Sequence, residues 1–446
     1  MRLTILGGGG FRVPLIYRTL LADHGQSRIT DVTLHDVDAA RLSAIGRVLA
    51  AQAHGVPDAP RISTTTDLTE AVSGADFVFV AVRVHGLEGR VIDERVAMAA
   101  GVLGQETVGA GGISYGLRTV PVATAIAQKI ARSAPDAWVI NFTNPAGLVT
   151  EAMSRHLGDR VIGICDTPAG LGRRVVAALK ADPQRVRLDY AGLNHLGWLR
   201  AVHVDGEDLL PTLLADDAAL DSFEEGRLFG AEWLRALGAV PNEYLHYYYG
   251  NRELVAAARD APQTRGEFLL AQQRGCYNLL GTTAEPLSTW DTIRAERDST
   301  YMAENRATAG LRQPAERDDA GPGGYEDVAL ALMRAIAHDE PATLILNVRN
   351  HGTLDILDDD AVVEIPCTVD ARGAHPEPVG SPPEHAIGLV CSVKASERAV
   401  LEAAEGGSRS SALRALATHP LVDSVAVAKR LLDAYRLRFP ELSYLR

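Results

Sequence analysis

Short apolar runs alternate with longer segments of helical periodicity along the first part of the chain. The apolar runs that predict strands lie at residues 3–6, 32–35, 75–82, 137–140 and 161–164. Helical periodicity separates them at residues 14–21, 39–53, 115–132 and 146–157. The run at 75–82 does not alternate with polar residues, as expected for a parallel strand that is covered on both faces. This βαβ series predicts a doubly wound parallel sheet over about the first 165 residues.

The pattern changes in the rest of the chain, where strands and helices no longer alternate. The predicted elements there are a helix at 170–180, strands at 187–193 and 198–204, a mainly helical region, strands at 344–348 and 361–369, and a helical end at 397–437. Asp205 and Gly206 form a hairpin-type turn signal. The segment 312–324 is rich in glycine, proline and charge, so we predict a linker or flexible loop there.

Four consecutive glycines separate the first predicted strand from the first predicted helix. Gly7 to Gly10 would let the backbone approach a pyrophosphate, and the start of the helix offers free N–H groups to it. The spacing departs from G-x-G-x-x-G, because Arg12 stands where the last glycine is expected. Asp36 ends the second strand, where a carboxylate accepts from the adenosine ribose and favours NAD over NADP, although an ordinary turn residue would also fit. The predicted cofactor-binding residues are Gly7, Gly8, Gly9, Gly10, Phe11, Arg12 and Asp36.

Composition and charge exclude two classes of function. A chain of 446 residues with 46% hydrophobic residues can form a large core, and its formal charge of −13 does not suit sequence-independent nucleic-acid binding. The sequence has no apolar run of about 18 residues, so we expect no membrane span, and its apolar start is too short for a signal peptide. The four cysteines are few and irregularly spaced, which suits free thiols in a reducing cytoplasm.

Polar side chains directly follow the predicted strand at 161–164. Cys165 and Asp166 would lie at the carboxyl end of this strand, where parallel sheets bind ligands, and His195 follows the next β-like run. A thiol and an imidazole can hold one metal ion and leave the open positions that catalysis requires. Zinc suits thiolate with imidazole, whereas oxygen ligands from a substrate would favour manganese. The alternative is a half-buried thiol and a histidine bonded to the backbone, with Asp166 as a helix N-cap rather than a general acid.

Two further groups of side chains are candidates for chemistry. A tyrosine cluster begins at Tyr244, and a tyrosine beside a metal and a cofactor can act as a base, although aromatic packing is the commoner role. Arginines that could bind an anion or hydroxyl groups, or could instead be solvated surface charges, are Arg83, Arg90, Arg118 and Arg265. Neither group identifies a substrate by itself.

Several motifs, taken in order, resemble one enzyme family over nearly the whole chain. The motifs are the GGGG strand-turn-helix, GLEGRVIDER, GVLGQETVGAGG, NFTNPAG, ICDTP, GLNHLGW, LPTLL, VPNEYLHYYY and VVEIPCTVD. They resemble glycoside hydrolase family four, whose members depend on NAD and on a divalent metal, usually Mn²⁺. The resemblance implies an α/β fold like that of lactate and malate dehydrogenases. A Rossmann-like NAD-binding domain would span residues 1–168, and an α+β domain for substrate, metal and oligomer contacts would span residues 169–446.

The resemblance also implies a redox-neutral elimination. Hydride passes from C3 of the sugar to NAD⁺, the ketone acidifies the C2 proton, and a tyrosine removes that proton. The C1–oxygen bond then breaks, water adds, and hydride returns to C3. By position, Cys165 and His195 match the metal ligands, Tyr244 matches the base, and Asp166 matches a proton donor. The positions that match substrate contacts are Arg90, Asn144 and Arg265.

The motifs disagree about the substrate. Asp166 resembles the 6-phospho-α-glucosidases, whereas LNHLGWLR, PNEYLHYYY and VVEIPC resemble 6-phospho-β-glucosidases, and we favour the β class because more segments match it. Arg12 stands near the glycine turn, where the family usually holds the 6-phosphate with hydroxyl side chains. Either Arg12 supplies a cation instead, or the glycoside is not phosphorylated. The family suggests a homodimer or a homotetramer.

Two other classes of protein remain open. A 2-hydroxy acid dehydrogenase on the same scaffold would need a His–Asp pair and an arginine for the carboxylate, without a metal. NFTNP has a superficially similar Asn-Pro element, but Cys165, His195 and the tyrosine cluster count against this class. A non-catalytic NAD-binding sensor would not need a candidate base, an acid and both metal ligands, so we expect an enzyme.

Overall fold

A computed structural model describes residues 1–300, 308 and 324–446. Within these residues the strands are β1 (Arg2–Leu6), β2 (Asp31–His35), β3 (Arg61–Thr65), β4 (Phe77–Val80), β5 (Trp138–Asn141), β6 (Val161–Gly163), β7 (Val186–Leu193), β8 (Leu196–Val204), β9 (Glu207–Asp208), β10 (Val240–Pro241), β11 (Ala342–Arg349), β12 (Val362–Asp370) and β13 (Gly373–Pro376). They form one sheet in the order β10-β8-β7-β12-β11-β6-β5-β4-β1-β2-β3, with β13 beside β12 and β9 beside β8. The linker prediction at 312–324 lies outside the described residues, except for its last glycine.

The first six strands are parallel and lie in the order β3-β2-β1-β4-β5-β6. This is the strand order of doubly wound dinucleotide-binding sheets, so the predicted fold class is confirmed. Both faces of β4 are covered, because Phe77 and Phe79 belong to one hydrophobic core and Val78 and Val80 to another. The apolar pattern does not predict β3, because this edge strand, RISTT, is largely polar and none of its residues is fully buried.

The later strands extend the same sheet in the antiparallel direction. β11 pairs with β6 where Asn347 lies opposite Gly163, and β12 then pairs with β11 along its length. β7 and β8 form a hairpin whose two-residue turn is Asn194-His195. The Asp205-Gly206 turn leads from β8 into β9, as predicted. Because one sheet spans both halves of the chain, the domain boundary after residue 168 stays a prediction.

Helices pack around this sheet. Among the described residues the α-helices are α1 (Val13–Leu21), α2 (Ala39–Ala53), α3 (Leu68–Val72), α4 (Gly86–Ala99), α5 (Gly109–Ser133), α6 (Ala146–Leu157), α7 (Thr167–Ala178), α8 (Leu210–Ala215), α9 (Asp217–Asp221), α10 (Glu224–Phe229), α11 (Ala231–Leu237), α12 (His246–Tyr249), α13 (Asn251–Asp260), α14 (Arg265–Thr282), α15 (Pro286–Ser299), α16 (Tyr325–His338), α17 (Glu384–Gly406), α18 (Arg409–Thr418) and α19 (Val425–Arg438). Short 3₁₀ turns cover Gly158–Arg160, Pro183–Arg185, Glu243–Leu245 and Pro440–Leu442. No helix in the described part of the chain is long and apolar enough to cross a membrane.

Two helices differ from the predicted pattern. α5 begins at Gly109, earlier than the predicted start, because its glycines pack tightly against the preceding loop: a Cβ on Gly111 would lie 2.0 Å from the Gln105 carbonyl oxygen. α4 is not predicted, because charged residues interrupt its apolar face. Its Asp93 is nevertheless buried, since it forms a 2.7 Å ion pair with Arg118 of α5.

Candidate functional site

The glycine turn lies between β1 and α1 and is tied to the end of β2. The backbone N–H groups of Gly7 and Gly8 donate to the His35 carbonyl oxygen at 2.9 and 2.7 Å. A Cβ on Gly8 would stand 2.7 Å from the Cβ of Leu34, so only glycine fits this position. The turn is therefore packed closely against the end of β2, and its approach to a pyrophosphate stays a prediction.

Asp36 fixes the same turn. Its Oδ2 accepts a hydrogen bond from the Gly9 N–H at 3.0 Å, and its Oδ1 accepts one from the Asp38 N–H at 3.1 Å. A carboxylate can accept about four hydrogen bonds, so Asp36 keeps acceptor capacity for ribose hydroxyls. Asp36 can therefore stabilise the turn and also bind the ribose of a cofactor, as predicted from the sequence.

Aromatic side chains from the C-terminal half hold the turn from the other side. Tyr277 of α14 donates from its hydroxyl to the Gly9 carbonyl oxygen at 2.7 Å, and Trp290 of α15 donates to the Phe11 carbonyl oxygen at 2.8 Å. The Phe11 ring is buried and packs on Trp290 with ring centroids 5.8 Å apart. The ring of Phe11 therefore packs in the core, and only the backbone of Phe11 is part of the glycine turn.

The imidazole of His195 and the phenol ring of Tyr244 are stacked. Their centroids are 3.6 Å apart and their planes differ by 1°. His195 occupies the turn between β7 and β8 with a left-handed φ of 63°, and Tyr244 lies in the 3₁₀ turn Glu243–Leu245. Burial lowers the pKa of His195 to about 4, although the charge of Asp166 opposes this shift. The imidazole is therefore neutral near pH 7, which is the form that binds a metal.

Cys165 lies two residues after the end of β6 and is buried. Burial raises the pKa of its thiol, and the negative charges of Glu364 and Asp166 raise it further. A bound cation would reverse this balance, because metals bind the thiolate. Asp166 follows Cys165 in the chain, and its charge acts on both Cys165 and His195.

Asp166 stands at the N-cap position of α7, but its side chain makes no capping hydrogen bond. The N-cap role that the sequence left open is therefore wrong. Its half-buried carboxylate also raises the pKa values of Glu243 and Glu364, after the larger effect of burial. Among the described residues no group of three or more histidine, cysteine or carboxylate side chains could hold a metal, so a site made by Cys165 and His195 stays a prediction.

A cavity of about 290 Å³ opens beside Tyr244. Four predicted site residues line it, namely Arg12, Arg90, Tyr244 and Arg265. Cys165, Asp166, His195 and Asn144 are not part of this lining. His195 instead reaches the cavity wall through its stack on Tyr244. Because Arg12 belongs to the glycine turn, the cavity connects the candidate nucleotide site with the candidate base.

The wall formed by α4 and the following loop is charged and rigid. Arg90 donates to Glu94 and to Glu106 at 2.7 Å each, and Arg83 donates to Glu106 at 2.7 Å. Burial raises the pKa of Glu106, but the charges of Arg83 and Arg90 outweigh it and lower the pKa to about 2. Arg118 does not belong to this wall, because it is bound bidentately to Asp93 in the core, so its candidacy as an anion binder is wrong.

Arg297 of α15 also lines the cavity, and no sequence motif points to it. Burial lowers its pKa to about 9, and the positive charges of Arg12 and Arg265 add to the effect. Its Nη1 has no hydrogen-bond partner among the described residues. Its guanidinium lies 5.2 Å from the Phe11 ring centroid. Glu94, Glu106 and Asp298 line the same cavity, so the feature that suits an anionic ligand is the Nη1 of Arg297, which has no partner among the described residues.

The predicted substrate residues differ in their surroundings. Arg265 donates to Thr300 and to the Arg297 carbonyl oxygen. These hydrogen bonds fix Arg265 beside Arg297 in the cavity lining. Asn144 lies in the loop after β5, and its buried Oδ1 has no partner among the described residues. This acceptor is free for a hydroxyl group, but the contact of Asn144 with a substrate stays a prediction.

These features define a Rossmann-like α/β protein whose glycine turn adjoins a cationic cavity with a tyrosine and a histidine at its edge. The chain belongs to family 4 of the glycosyl hydrolases. The model described as "Family 4 glycosyl hydrolase" matches residues 2–181, and "Family 4 glycosyl hydrolase C-terminal domain" matches residues 190–422. The family resemblance of the motifs is therefore confirmed.

Individual relatives match along the full chain. A probable 6-phospho-beta-glucosidase of Bacillus subtilis is 33% identical over 97% of this chain and 95% of its own length. The 6-phospho-beta-glucosidase of Escherichia coli is 30% identical over 99% of this chain and 97% of its own length. A crystal structure of the Thermotoga maritima 6-phospho-beta glucosidase with manganese, NAD⁺ and glucose-6-phosphate is 26% identical, has a TM-score of 0.81, and covers 98% of this chain and 97% of its own.

Two further solved structures bear on the alternatives. A 6-phospho-alpha-glucosidase from gut microorganisms, in complex with NAD and Mn²⁺, is 26% identical with a TM-score of 0.81 and covers 98% of this chain and 97% of its own. Malate dehydrogenase from Plasmodium falciparum is 13% identical with a TM-score of 0.51 over 91% of this chain and 99% of its own. The second match shows only a common fold, and it confirms the predicted likeness to the malate dehydrogenase scaffold.

Proposed function

We propose that this chain hydrolyses 6-phospho-β-glucosides by oxidation at C3, removal of the C2 proton, elimination, water addition and re-reduction. The observation that carries the proposal is the cavity that Arg12 of the glycine turn shares with Tyr244, which is stacked on His195. One residue of the candidate nucleotide site and the candidate base line this cavity, and a candidate metal ligand stacks on that base. The names of the relatives with 33% and 30% identity support the β anomer.

The residues of the glycine turn fit NAD. The turn leads directly into α1, whose N-terminal dipole favours a phosphate, the glycines leave room for a close approach, and Asp36 retains acceptor capacity for ribose hydroxyls. The cofactor would be held by Gly7 to Gly10, by the backbone of Phe11, and by Arg12. When bound, NAD⁺ supplies a reversible hydride acceptor for C3.

The donor set of Cys165 and His195 fits a divalent metal, and we propose Mn²⁺. The histidine is neutral, the cysteine lies near two carboxylates that favour a cation, and oxygen atoms of a substrate could complete the coordination. When bound, the ion supplies positive charge that stabilises a sugar oxyanion. The manganese in the Thermotoga maritima structure supports this assignment.

The side chains of the site have separate roles in this proposal. Tyr244 removes the proton from C2 of the sugar, and its stack on His195 keeps the phenol ring in one orientation. Asp166 gives a proton to the departing glycosidic oxygen. Asn144, with its unpartnered Oδ1, and Arg90, fixed by Glu94 and Glu106, bind sugar hydroxyl groups.

The proposal assigns recognition of the 6-phosphate to three arginines, in place of hydroxyl side chains at the glycine turn. Arg12, Arg265 and Arg297 surround the same cavity, and Arg297 has an unpaired nitrogen among the described residues. Guanidinium groups bind phosphate through short charge-assisted hydrogen bonds. A sugar 6-phosphate would bring negative charge to this group of cations.

Release of nitrophenol from four substrates tests the proposal. Nitrophenyl α- and β-glucosides, each with and without a 6-phosphate, are assayed with and without NAD⁺ and Mn²⁺. We expect turnover of the phosphorylated β-glucoside only when both additions are present, together with exchange of C2 deuterium into the solvent. Turnover without NAD⁺ would contradict the elimination mechanism.

A 6-phospho-α-glucosidase is the second candidate function. Asp166 favours it, because its carboxylate caps no helix and acts on both predicted metal ligands, so it is free to protonate a poorer leaving group. In the same assay this function predicts faster turnover of the phosphorylated α-glucoside. The substitution Asp166→Asn would then abolish turnover of a 6-phospho-α-glucoside whose leaving group is a sugar, and spare nitrophenyl glucosides, because nitrophenolate departs without a proton.

The proposal includes a homodimer or homotetramer in the cytoplasm. The family resemblance suggests the assembly, and the four unpaired cysteines suit a reducing compartment. Light scattering coupled to size-exclusion chromatography measures the mass of the assembly, and a monomer would contradict this part of the proposal.

A further inference from the structure

Glu364 is a buried carboxylate that lies outside the cavity lining. It belongs to β12 and has no exposed surface. Its Oε1 accepts hydrogen bonds from the Nδ2 of Asn347 at 2.9 Å and from the Nδ2 of Asn194 at 3.2 Å. Its Oε2 accepts one from the Tyr190 hydroxyl at 3.1 Å. Burial of a carboxylate is costly, so its presence here calls for a role that an apolar side chain could not fill.

One set of these bonds leads to His195. Asn194 precedes His195 in the two-residue turn between β7 and β8. While the Nδ2 of Asn194 donates to Glu364, its Oδ1 accepts from the Ala146 N–H at 3.1 Å. The side-chain amide of Asn194 thereby fixes the turn to β12 through its nitrogen and to the start of α6 through its oxygen. This matters because His195 has the left-handed φ of 63°, which few side chains adopt unless the surroundings hold them.

The other bond leads to Tyr244. The Tyr190 hydroxyl donates to Glu364 and accepts from the Nδ2 of Asn242 at 2.8 Å. The Oδ1 of Asn242 in turn accepts from the Tyr244 backbone N–H at 3.1 Å. Asn242 is fully buried, so its amide has no competing water. Burial raises the pKa of Glu364 to about 7. In its ionised form the carboxylate can only accept, so the Tyr190 hydroxyl is then the donor of their hydrogen bond.

We propose that Glu364 is a positioning residue that orients the His195 turn and the Tyr244 turn together. The Glu364 carboxylate is bonded toward both turns and so keeps the imidazole and the phenol ring aligned. Their parallel stack, with centroids 3.6 Å apart, is the result. The proposal rests on the roles proposed above for His195 in metal binding and for Tyr244 in proton removal. Glu364 itself touches neither the cavity nor the reacting atoms.

Three variants separate the two sets of bonds. Tyr190→Phe removes only the connection to Tyr244, and Glu364→Ala removes both connections. Glu364→Gln can keep its carbonyl oxygen toward the two asparagines, but its NH₂ then faces Tyr190 and cannot accept from that hydroxyl. Tyr17→Phe is the matched control, because Tyr17 is equally buried and donates to the Pro60 carbonyl oxygen at 2.8 Å rather than to a residue of the site.

Two quantities are measured for each variant. They are kcat and the affinity for Mn²⁺, the latter by electron paramagnetic resonance with NAD⁺ and without substrate. Outer groups that orient metal ligands typically change metal affinity or activity by about 10–100-fold. We expect Glu364→Ala to lose about that factor in both, whereas Tyr190→Phe loses about 10-fold or more in kcat with unchanged Mn²⁺ affinity. Glu364→Gln should restore Mn²⁺ affinity but keep the low kcat of Tyr190→Phe. Tyr17→Phe should change neither.

Two results would overturn the proposal. The first is a Tyr190→Phe kcat equal to that of Tyr17→Phe, and the second is wild-type Mn²⁺ affinity in folded Glu364→Ala. If Glu364→Ala fails to fold, the comparison of Glu364→Gln with Tyr190→Phe decides the matter. If the wild-type chain has no NAD-dependent glycosidase activity, the proposed function fails, while the Mn²⁺ titration still decides whether Glu364 orients His195.

Discussion

Tyr325 donates a hydrogen bond from its hydroxyl to the Arg12 carbonyl oxygen at 3.0 Å, and the Arg12 guanidinium lies 5.6 Å from the centroid of the same ring. One aromatic residue of α16 therefore holds both the backbone and the side chain of the glycine turn's arginine. The C-terminal half thus shapes the anion-binding end of the candidate nucleotide site.

Arg12→Ala should weaken recognition of the 6-phosphate. Loss of a charge-assisted hydrogen bond costs about 1.5–3 kcal/mol, so KM for a 6-phosphoglucoside should rise by about 10–100-fold. Because the phosphate is remote from the reacting carbons, kcat should change less. Steady-state kinetics with phosphorylated and plain glucosides measure both constants. Arg18→Ala, on the same helix and outside the cavity lining, serves as the control; an equal rise in KM for the plain glucoside would count against a phosphate contact.

Gly8→Ala should abolish cofactor binding. The added Cβ would meet Leu34 at 2.7 Å and the His35 backbone nitrogen at 2.9 Å, so the turn must move away from β2. Isothermal titration with NAD⁺ should show no measurable binding. Gly46→Ala is the matched control, because a Cβ there meets nothing within 4 Å. It lies inside α2, so it should instead stabilise the fold by about 0.5–1 kcal/mol and leave NAD⁺ binding intact. Normal binding by Gly8→Ala would refute the close approach.

Tyr244→Phe should lower turnover without weakening metal binding. The ring and its stack on His195 remain, while the hydroxyl that removes the proton is lost. General-base catalysis contributes about 10²–10⁴-fold, so kcat should fall by about that factor. Exchange of C2 deuterium should disappear with it. In Tyr444→Phe, whose hydroxyl donates to the Leu117 carbonyl oxygen at 2.8 Å, kcat should be unchanged. A Tyr244→Phe enzyme that still exchanged C2 deuterium would remove the base assignment.

Cys165→Ser should reduce the affinity for Mn²⁺. Replacing a thiolate ligand by a hydroxyl leaves the ion with His195 and oxygen ligands, and we expect the concentration for half-maximal activation to rise by about tenfold or more. Titration of the chelator-treated enzyme with Mn²⁺ measures it. Cys391→Ser, which changes a free and only half-buried thiol, should retain the wild-type value. Equal Mn²⁺ dependence in both variants would place the metal elsewhere.

Glu106 should contribute to stability above pH 5. Burial raises its pKa, but the charges of Arg83 and Arg90 outweigh burial and lower the pKa to about 2 in the folded state. A lowered pKa stabilises the fold above the ordinary pKa of about 4.3, and this contribution, about 3 kcal/mol, is lost as the pH falls toward the folded-state pKa. In urea unfolding, Glu106→Gln should thus destabilise the protein most at pH 7 and progressively less from pH 4.5 downward. A pH-independent difference would contradict this coupling.

Many elements follow from local pattern alone. β4 is recognisable because all four of its residues are apolar and buried, and the glycine turn because no other residue type fits it. β3 escapes this reasoning because its exposed edge position needs no apolar residues. Local pattern does not predict the role of Arg297. That role comes from a nitrogen without a partner among the described residues and from nearby arginines, and the sequence around Arg297 specifies neither.

The amino-acid order alone determined the parallel βαβ succession, the nucleotide-type turn and the family, since burial period and glycine placement are local properties. The assembly of the site was decided only by tertiary structure. His195 and Tyr244 come from separate segments and stack on each other, while hydrogen bonds of Asn194 and Asn242 hold the two turns that carry them. Such contacts between distant segments depend on the packing of the whole sheet, which no local stretch of sequence encodes.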